Sequence, residues 1–315
     1  MNPLLDVGVI GVGSLGQWHA RVFAENPKAR LVGVYDVDPA RAAEIAKRYR
    51  TRAFDRIDDL AGQITAASIV VPTDRHAEVA LPLLERGIHL LVEKPIAATM
   101  QEAEAMVAAA TAKGVILQVG HVERFNPVMS FLEGVLEQPR FIEAVRLAPY
   151  PPPREGLAPR GTEVSVILDL MIHDLEIILH LVHSPVREFH AVGVPVLSPS
   201  EDIANVRILF ENRCVANVTA SRVSLEKLRK IRVFQQDTYV SLDYQSQSGR
   251  VIRRENNTIV PMDVPIEKGE ALDNELDAFL TCVLNRDEPV VSGREASHAL
   301  ALAIAICQHI RAGGS

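Results

Sequence analysis

The stretch Val7-Gly8-Val9-Ile10-Gly11-Val12-Gly13-Ser14-Leu15-Gly16 decides how the first third of the chain is read. Val7 to Ile10 is a short, continuous apolar run, the pattern of a strand buried on both faces. The glycines that follow match G-x-G-x-x-G, and a helical stretch from Ser14 to Glu25 comes directly after them. Strand, glycine turn and helix in that order form the context in which this motif binds a dinucleotide. Gly11 permits the tight turn, Gly13 lets the backbone approach a pyrophosphate, and Gly16 permits close packing of helix on strand. The N–H groups at the helix start, around Ser14 and Leu15, are then placed to hold the phosphates.

The same alternation continues outward. Apolar runs at Leu31 to Tyr35, Ala67 to Val71, Ile88 to Val92 and Val115 to Val119 are separated by helical stretches, with Gly87 and Gly114 at the expected C-caps. Buried strands alternating with helices predict a doubly wound parallel sheet, an α/β Rossmann domain. Asp36 stands at the end of the second strand, where a carboxylate accepts hydrogen bonds from the adenosine ribose and repels a 2′-phosphate. NAD is therefore expected rather than NADP. Asp36 as a simple turn cap before Pro39, and Arg41 as a 2′-phosphate ligand, are the competing readings.

Two further clusters fall at ends of strands, on the edge where ligands collect in such sheets. Val71-Pro72-Thr73-Asp74-Arg75-His76 follows the third strand, with Thr73 or Asp74 as a potential helix cap. Pro72, Thr73 and His76 are candidate cofactor contacts, and His76 has a purely structural alternative. Glu93-Lys94-Pro95 follows the fourth strand. A lysine there can stabilise developing alkoxide charge on a reacting hydroxyl, or it can be a surface lysine paired with Glu93.

The chain of 315 residues suffices for two domains, and 48% hydrophobic content with 23% charged content fits an ordered globular protein. A net charge of −7 speaks against a nucleic-acid binder. Cys214, Cys282 and Cys307 are odd in number and widely spaced, which predicts buried thiols rather than disulfides or a zinc site. The N-terminus has no basic region before its apolar residues, and Val164 to Val182 carries five charged or histidine residues. A cytoplasmic protein with no membrane span is expected.

Past about Val122 the pattern changes. Asn126-Pro127 opens a helix, and Pro149 to Pro159 reads as a loop. A helix from Ser165 to Val182 follows, then alternating runs at 189–196, 204–210, 215–220, 230–235 and 238–244. These predict an antiparallel meander with one buried face. Helices at 271–284 and 293–311 close the chain. The expected division is a dinucleotide-binding domain over 1–122, an α+β domain for substrate and oligomerisation over 123–289, and a terminal segment 290–315. A homodimer or homotetramer through the C-terminal sheet is expected.

Within the helix Ser165 to Val182, Asp169 and His173 are spaced i, i+4 and share one face. A histidine suits proton abstraction from an alcohol near neutral pH. A satisfied Asp–His pair in the core, and a metal site of His173, Glu176 and His180, are the other readings.

Taken together, the Gly11-x-Gly13-x-x-Gly16 motif, the Glu93-Lys94-Pro95 triplet and the Asp169-x-x-x-His173 pair resemble the Gfo/Idh/MocA oxidoreductase family over nearly the whole chain. The resemblance implies a Rossmann domain followed by an open antiparallel sheet, with the final helix packed back on the Rossmann domain. It implies that Lys94 polarises the reacting oxygen, that His173 takes its proton, that Asp169 hydrogen-bonds the substrate, and that hydride passes to the nicotinamide. Glu93 and Lys94 would also line the cofactor. The stretches Gly120 to Pro127 and Ile167 to Asp174 further resemble a subgroup that includes UDP-N-acetylglucosamine 3-dehydrogenases. That implies a nucleotide sugar oxidised at C3, with Arg124 and Asn126 as candidate substrate contacts. Arg124 as a structural ion-pair partner, a free polyol such as inositol as substrate, and a catalytically silent NAD-binding regulator are the alternatives.

Overall fold

The computed structural model describes residues 4–152, 161–162, 164–255 and 258–313. Most of the predicted proline-rich loop, residues 153–160, lies outside the described residues. The chain forms two compact units, residues 1–125 with 270–297, and residues 126–269 with 298–315.

The first unit contains six strands: β1 (Leu5–Ile10), β2 (Ala29–Tyr35), β3 (Arg52–Ala53), β4 (Ala66–Ile69), β5 (His89–Glu93) and β6 (Leu117–Gly120). They form one sheet in the order β3-β2-β1-β4-β5-β6 with every pairing parallel. Helices α1 (Gly16–Glu25), α2 (Pro39–Arg48), α3 (Ile57–Ala61), α4 (His76–Glu85) and α5 (Met100–Lys113) make the crossovers. The local signals are plain. Asp38 caps α2 through its side chain, Thr99 and Glu102 form a reciprocal capping box on α5, and Gly114 ends α5 at φ 63°. The strand order reverses between β1 and β4, so the crevice at their C-terminal ends is where a ligand belongs in such a sheet.

The second unit begins with α6 (Pro127–Val135) and β7 (Phe141–Leu147), followed by α7 (Ile172–Val182). Strands β8 (Val186–Val194), β9 (Ile203–Phe210), β10 (Val215–Ser221), β11 (Leu228–Gln235), β12 (Thr238–Asp243), β13 (Ser248–Glu255) and β14 (Thr258–Asp263) come next. Eight strands order as β14-β13-β12-β11-β7-β10-β9-β8. Alternate residues of β7, β9 and β10 are buried, which is the expected single buried face. The expected simple meander needs two corrections: β13 and β14 extend it beyond the expected strands, and β7 is inserted between β11 and β10, where its pairing with β10 is parallel. A parallel pair needs a long crossover, and the chain between β7 and β10 supplies one.

Two helices close the chain, α8 (Ala271–Asn285) and α9 (Gly293–Arg311). Their assignment corrects the expected domain division. Helix α8 belongs to the first unit, because Leu276, Phe279, Leu280 and Val283 complete the core that contains Val7, Val9, Phe23 and Val34. Helix α9 is the one expected to return to the first domain, yet from His298 onward it belongs to the second unit. There, His309 lies edge-on to Phe189 with ring centroids 5.4 Å apart. Among the described residues no helix is long and apolar enough to cross a membrane.

Candidate active site

The turn after β1 is shaped by what a side chain would strike. Gly11 has φ +85°, and a Cβ there would lie 2.6 Å from the Val70 carbonyl oxygen. A Cβ on Gly16 would lie 1.9 Å from the Gly11 carbonyl oxygen, whereas one on Gly13 would meet nothing within 4 Å. Gly11 and Gly16 are therefore required by the protein itself, and Gly13 keeps a surface open. Gly13, Ser14 and Leu15 are exposed at the start of α1. Open backbone at a helix N-terminus fits a pyrophosphate.

Asp36 ends beside this turn. Its Oδ2 accepts the Val12 N–H at 2.7 Å and its Oδ1 accepts the Asp38 N–H at 3.0 Å. A carboxylate offers about four acceptor positions, so capacity remains for ribose hydroxyls. The turn reading of Asp36 is thus true without displacing the ligand reading. Arg41 donates from Nε to the Val12 carbonyl at 2.9 Å and pairs with Glu44 at 2.7 Å. Its guanidinium is occupied within the protein. These residues fit the adenosine half of a nicotinamide dinucleotide.

After β4 the chain makes a single 3-10 turn over Thr73–Arg75 before α4 begins. Because of that turn neither Thr73 nor Asp74 caps α4, contrary to expectation; position N-cap falls on Arg75 without a side-chain bond. Pro72 is exposed and Thr73 half-buried at the ligand edge. His76 is buried, with Nδ1 2.9 Å from the Pro95 carbonyl and Nε2 3.0 Å from the Val71 carbonyl. Burial holds this imidazole below its ordinary pKa. His76 thereby stands between the loop after β4 and the loop carrying Lys94, and its neutral ring, with a single N–H, donates to one of these two carbonyls.

Lys94 follows β5, its peptide to Pro95 is cis, and its side chain is half-buried. Its backbone N–H donates to Glu93 Oε2 at 3.2 Å. Glu93 Oε1 lies 3.2 Å from His19 Nε2, and His19 Nδ1 lies 2.7 Å from Ser68 Oγ. A carboxylate only accepts, so His19 carries its proton on Nε2. Burial alone would raise the Glu93 carboxyl, but the His19 hydrogen bond and the charges of His19 and Lys94 outweigh it and leave Glu93 lowered. His121, buried just after β6, is pushed down to about 3 by burial and by the Lys94 charge. Arg124 is buried in a 3-10 turn over Val122–Phe125. His19, Ser68 and His121 are members of this network that the sequence reading did not single out. The available signal was His19 itself, three residues after Gly16 on the face of α1 that turns to the sheet.

In the second unit, Asp169 and His173 are both half-buried. The predicted continuous α-helix is corrected here. Ile167–Met171 forms a π turn, with the Ile172 N–H bonded to the Ile167 carbonyl, and α7 starts only at Ile172. The pair straddles that junction, so regular i, i+4 geometry does not describe it; single π turns of this kind are frequent at functional sites. Asp174, next to His173, is buried and bonded by both oxygens to Arg146 of β7, at 2.7 and 3.0 Å. A buried pair with this forked geometry fixes α7 on the sheet.

Asp169 has its own support. A Cβ on Gly161, which has φ +82°, would lie 2.5 Å from Asp169 Oδ2. The Gly161 carbonyl accepts from the buried Arg222, at 2.5 Å. Arg222 also donates to the Val164 carbonyl at 2.8 Å and to Asp202 at 2.8 Å. Burial would raise Asp202, but Ser198, Arg222 and backbone N–H groups hold it well below the usual range.

Asn126 is buried; its oxygen accepts the Val128 N–H at the start of α6 and its amide donates to the Tyr244 carbonyl at 3.0 Å. Asn126, expected as a candidate substrate contact, also bonds the second unit's own backbone through this amide. His180 bonds Glu133 at 3.0 Å, and among the described residues no group of three His, Cys, Asp or Glu is placed to hold a metal ion. Lys94 and Arg124 are thus carried by the first unit, and Asp169, His173 and Asn126 by the second.

A dinucleotide-binding sheet whose ligand edge carries a lysine, followed by a unit with an Asp and a His on one helix, defines an NAD-binding oxidoreductase. The chain belongs to the Gfo/Idh/MocA family: residues 5–121 match its oxidoreductase domain with NAD-binding Rossmann fold, and residues 131–239 match its C-terminal domain. It is 35% identical over 309 residues to UDP-N-acetylglucosamine 3-dehydrogenase of Acidithiobacillus ferrooxidans, covering 96% of each chain. The solved structure of that enzyme aligns with a TM-score of 0.92 over 99% of this chain and 100% of that one. A scyllo-inositol 2-dehydrogenase (NAD(+)) of Bacillus subtilis is 26% identical, covering 99% of this chain and 96% of its own. Levoglucosan dehydrogenase, in complex with NADH and levoglucosan, shares the fold at 20% identity with a TM-score of 0.88, over 99% and 98% of the two chains.

Proposed function

We propose that this protein oxidises the C3 hydroxyl of UDP-N-acetylglucosamine to the 3-keto sugar, with NAD as acceptor. The observation that carries this reading is identity of 35% along nearly the full length to an enzyme of that name. In this reading the Lys94 ammonium donates a hydrogen bond to the reacting oxygen and stabilises alkoxide charge as it develops. His173 accepts the hydroxyl proton at a ring nitrogen, a role suited to an imidazole near neutral pH. Asp169 accepts a hydrogen bond from a neighbouring substrate group and fixes the sugar's orientation. Bound NAD supplies the hydride acceptor. Gly11, Gly13, Ser14, Leu15 and Gly16 hold its pyrophosphate, Asp36 its adenosine ribose, and Pro72, Thr73 and Glu93 flank the remainder. Asp36 and the occupied Arg41 favour NAD over NADP. Arg124 is assigned to the substrate's phosphates, because a guanidinium fork matches phosphate oxygens. The protein works in the cytoplasm as a homodimer or homotetramer joined through the second unit's sheet.

The test is NADH formation, followed by absorbance, with UDP-N-acetylglucosamine against a panel of free polyols. Lys94→Ala and His173→Ala are expected to lower kcat by about 10³-fold or more while NAD binding survives. Full turnover in either variant would remove that residue's role. A free polyol is the second reading, favoured by the near full-length relationship to the inositol enzyme. It wins if inositol supports turnover and the nucleotide sugar does not.

A further inference from the structure

Glu275 on α8 is fully buried, and among the described residues neither of its carboxyl oxygens has a hydrogen-bond partner. It belongs to the first unit. Its backbone carbonyl accepts from the Gln118 side chain of β6 at 3.3 Å, and the Gln118 oxygen is likewise buried without a partner. An acidic neighbour whose charge acts on it is Glu93, already ionised through His19 and Lys94. A second, unpaired carboxylate buried beside it would cost several kcal/mol, and groups in that position take up a proton instead. Two close carboxyls do not both ionise. Burial and the Glu93 charge, in that order, push the Glu275 carboxyl well above its ordinary range.

We propose that Glu275 is a positioning residue for Lys94: it stays a neutral carboxylic acid beside the Glu93 carboxylate, so that one negative charge rather than two stands behind the lysine. The arrangement separates two jobs. Glu93 is held by His19 and by the Lys94 backbone N–H, and its negative charge is stabilised by the Lys94 charge. Glu275 is then a buried group that adds no second charge. Were it to ionise, the two anions would repel, and the clamp on Glu93 would loosen along with the loop that carries Lys94. The charged and titratable groups packed against α8 include His19, Arg21 and Glu25 of α1, Lys28 after α1, which pairs with Asp277, and Glu123 and Arg124 of the turn after β6. Arg21 is engaged with Asp273, on the outer side of α8. The proposal rests on Lys94 facing the reacting oxygen, but its first test does not.

Infrared difference spectra of the wild-type protein against Glu275→Gln, with isotope-labelled glutamate, read the carboxyl directly. A protonated-acid carbonyl band at neutral pH that Glu275→Gln lacks is expected, and no such band would overturn the proposal. The second readout is pH dependence. A carboxyl with a raised folded pKa contributes stability below its unfolded value, and that contribution is lost as pH rises toward the folded one. Wild-type stability should therefore decline from the ordinary carboxyl range upward, and Glu275→Gln should flatten that slope. The alkaline fall of kcat should likewise move to higher pH in Glu275→Gln, while Glu275→Ala, which leaves space behind Glu93, lowers kcat by up to about 10²-fold. Superimposable pH profiles for wild type and Glu275→Gln would overturn the positioning role. Absence of turnover on any sugar with the infrared band intact would instead count against the assigned substrate.

Discussion

The two units build their ligand-facing groups in opposite ways. In the first, backbone does most of the work: the Gly11–Gly16 turn and the Glu93-Lys94 loop are short contiguous runs at strand ends, placed by a parallel sheet. In the second, Asp169 and His173 stand on a helix that begins with a π turn, steadied by side chains far away in sequence. Arg146 reaches Asp174, and Arg222 reaches Gly161. A site made of backbone should fail when atoms are added to it. A site made of side chains should fail when a distant support is moved.

The largest effect is expected at Gly16. A methyl group there would overlap the Gly11 carbonyl oxygen at 1.9 Å, so Gly16→Ala should prevent the turn from forming and yield unfolded or aggregated protein. Gly13→Ala meets no protein atom within 4 Å, so the protein should fold, with an unchanged circular dichroism melt, and lose NAD affinity by about tenfold or more. If the two variants melt alike, the backbone account of this unit is wrong. The matching variant in the second unit is Gly161→Ala. It places a methyl 2.5 Å from Asp169 Oδ2 on a residue with positive φ, and should lower kcat by about 10²-fold with NAD affinity unchanged. Equal losses of NAD binding and kcat would erase the contrast between the units.

The contrast also explains what could be read in advance. The placement of the dinucleotide turn, Asp36 and Lys94 at strand ends was legible because contiguous residues there need little tertiary knowledge. Strand β7 was missed because its buried face carries Arg146, which breaks the apolar alternation and makes sense only with Asp174 opposite. The π turn at Ile167–Met171 leaves no mark in composition or spacing. Glu275 stands in the polar run Asp273-Asn274-Glu275, which reads as a solvated face until α8 is known to pack into the first core. The apolar residues of α9 predict burial, but nothing in their spacing tells which unit receives them.

A smaller effect sharpens the first unit's polar side. The folded pKa of His121, about 3, lies below the ordinary imidazole value because burial and Lys94 disfavour its charged form. The unfolded chain therefore binds more protons in the window between them. Stability is full above the ordinary histidine range and falls as pH drops through that window, by about 2 kcal/mol between pH 7 and pH 5. Urea titrations at the two pH values should show this, and His121→Gln should reduce the slope. An unchanged slope in the variant would assign the loss to other groups.

The smallest effect is expected at Asp36, where backbone and side chain share one task. Its carboxylate holds the Val12 and Asp38 N–H groups, and Val12 belongs to the glycine turn itself. Removing the charge should do two separable things. Asp36→Asn keeps an acceptor oxygen for one of those N–H groups, so the turn persists and NAD affinity falls by only about threefold to tenfold, the worth of one charge-assisted hydrogen bond at an exposed edge. The loss of repulsion toward a 2′-phosphate should raise kcat/KM for NADP by a similar factor, narrowing the preference for NAD. Arg41 does not complete the switch, because its guanidinium is committed to the Val12 carbonyl and Glu44. Adding Glu44→Gln to Asp36→Asn removes the ion pair at one end of that guanidinium, leaving its Val12 bond, and should carry the preference further toward NADP. Steady-state kinetics with both cofactors read each step, and a double variant no better with NADP than the single one would place Arg41 outside the cofactor's reach.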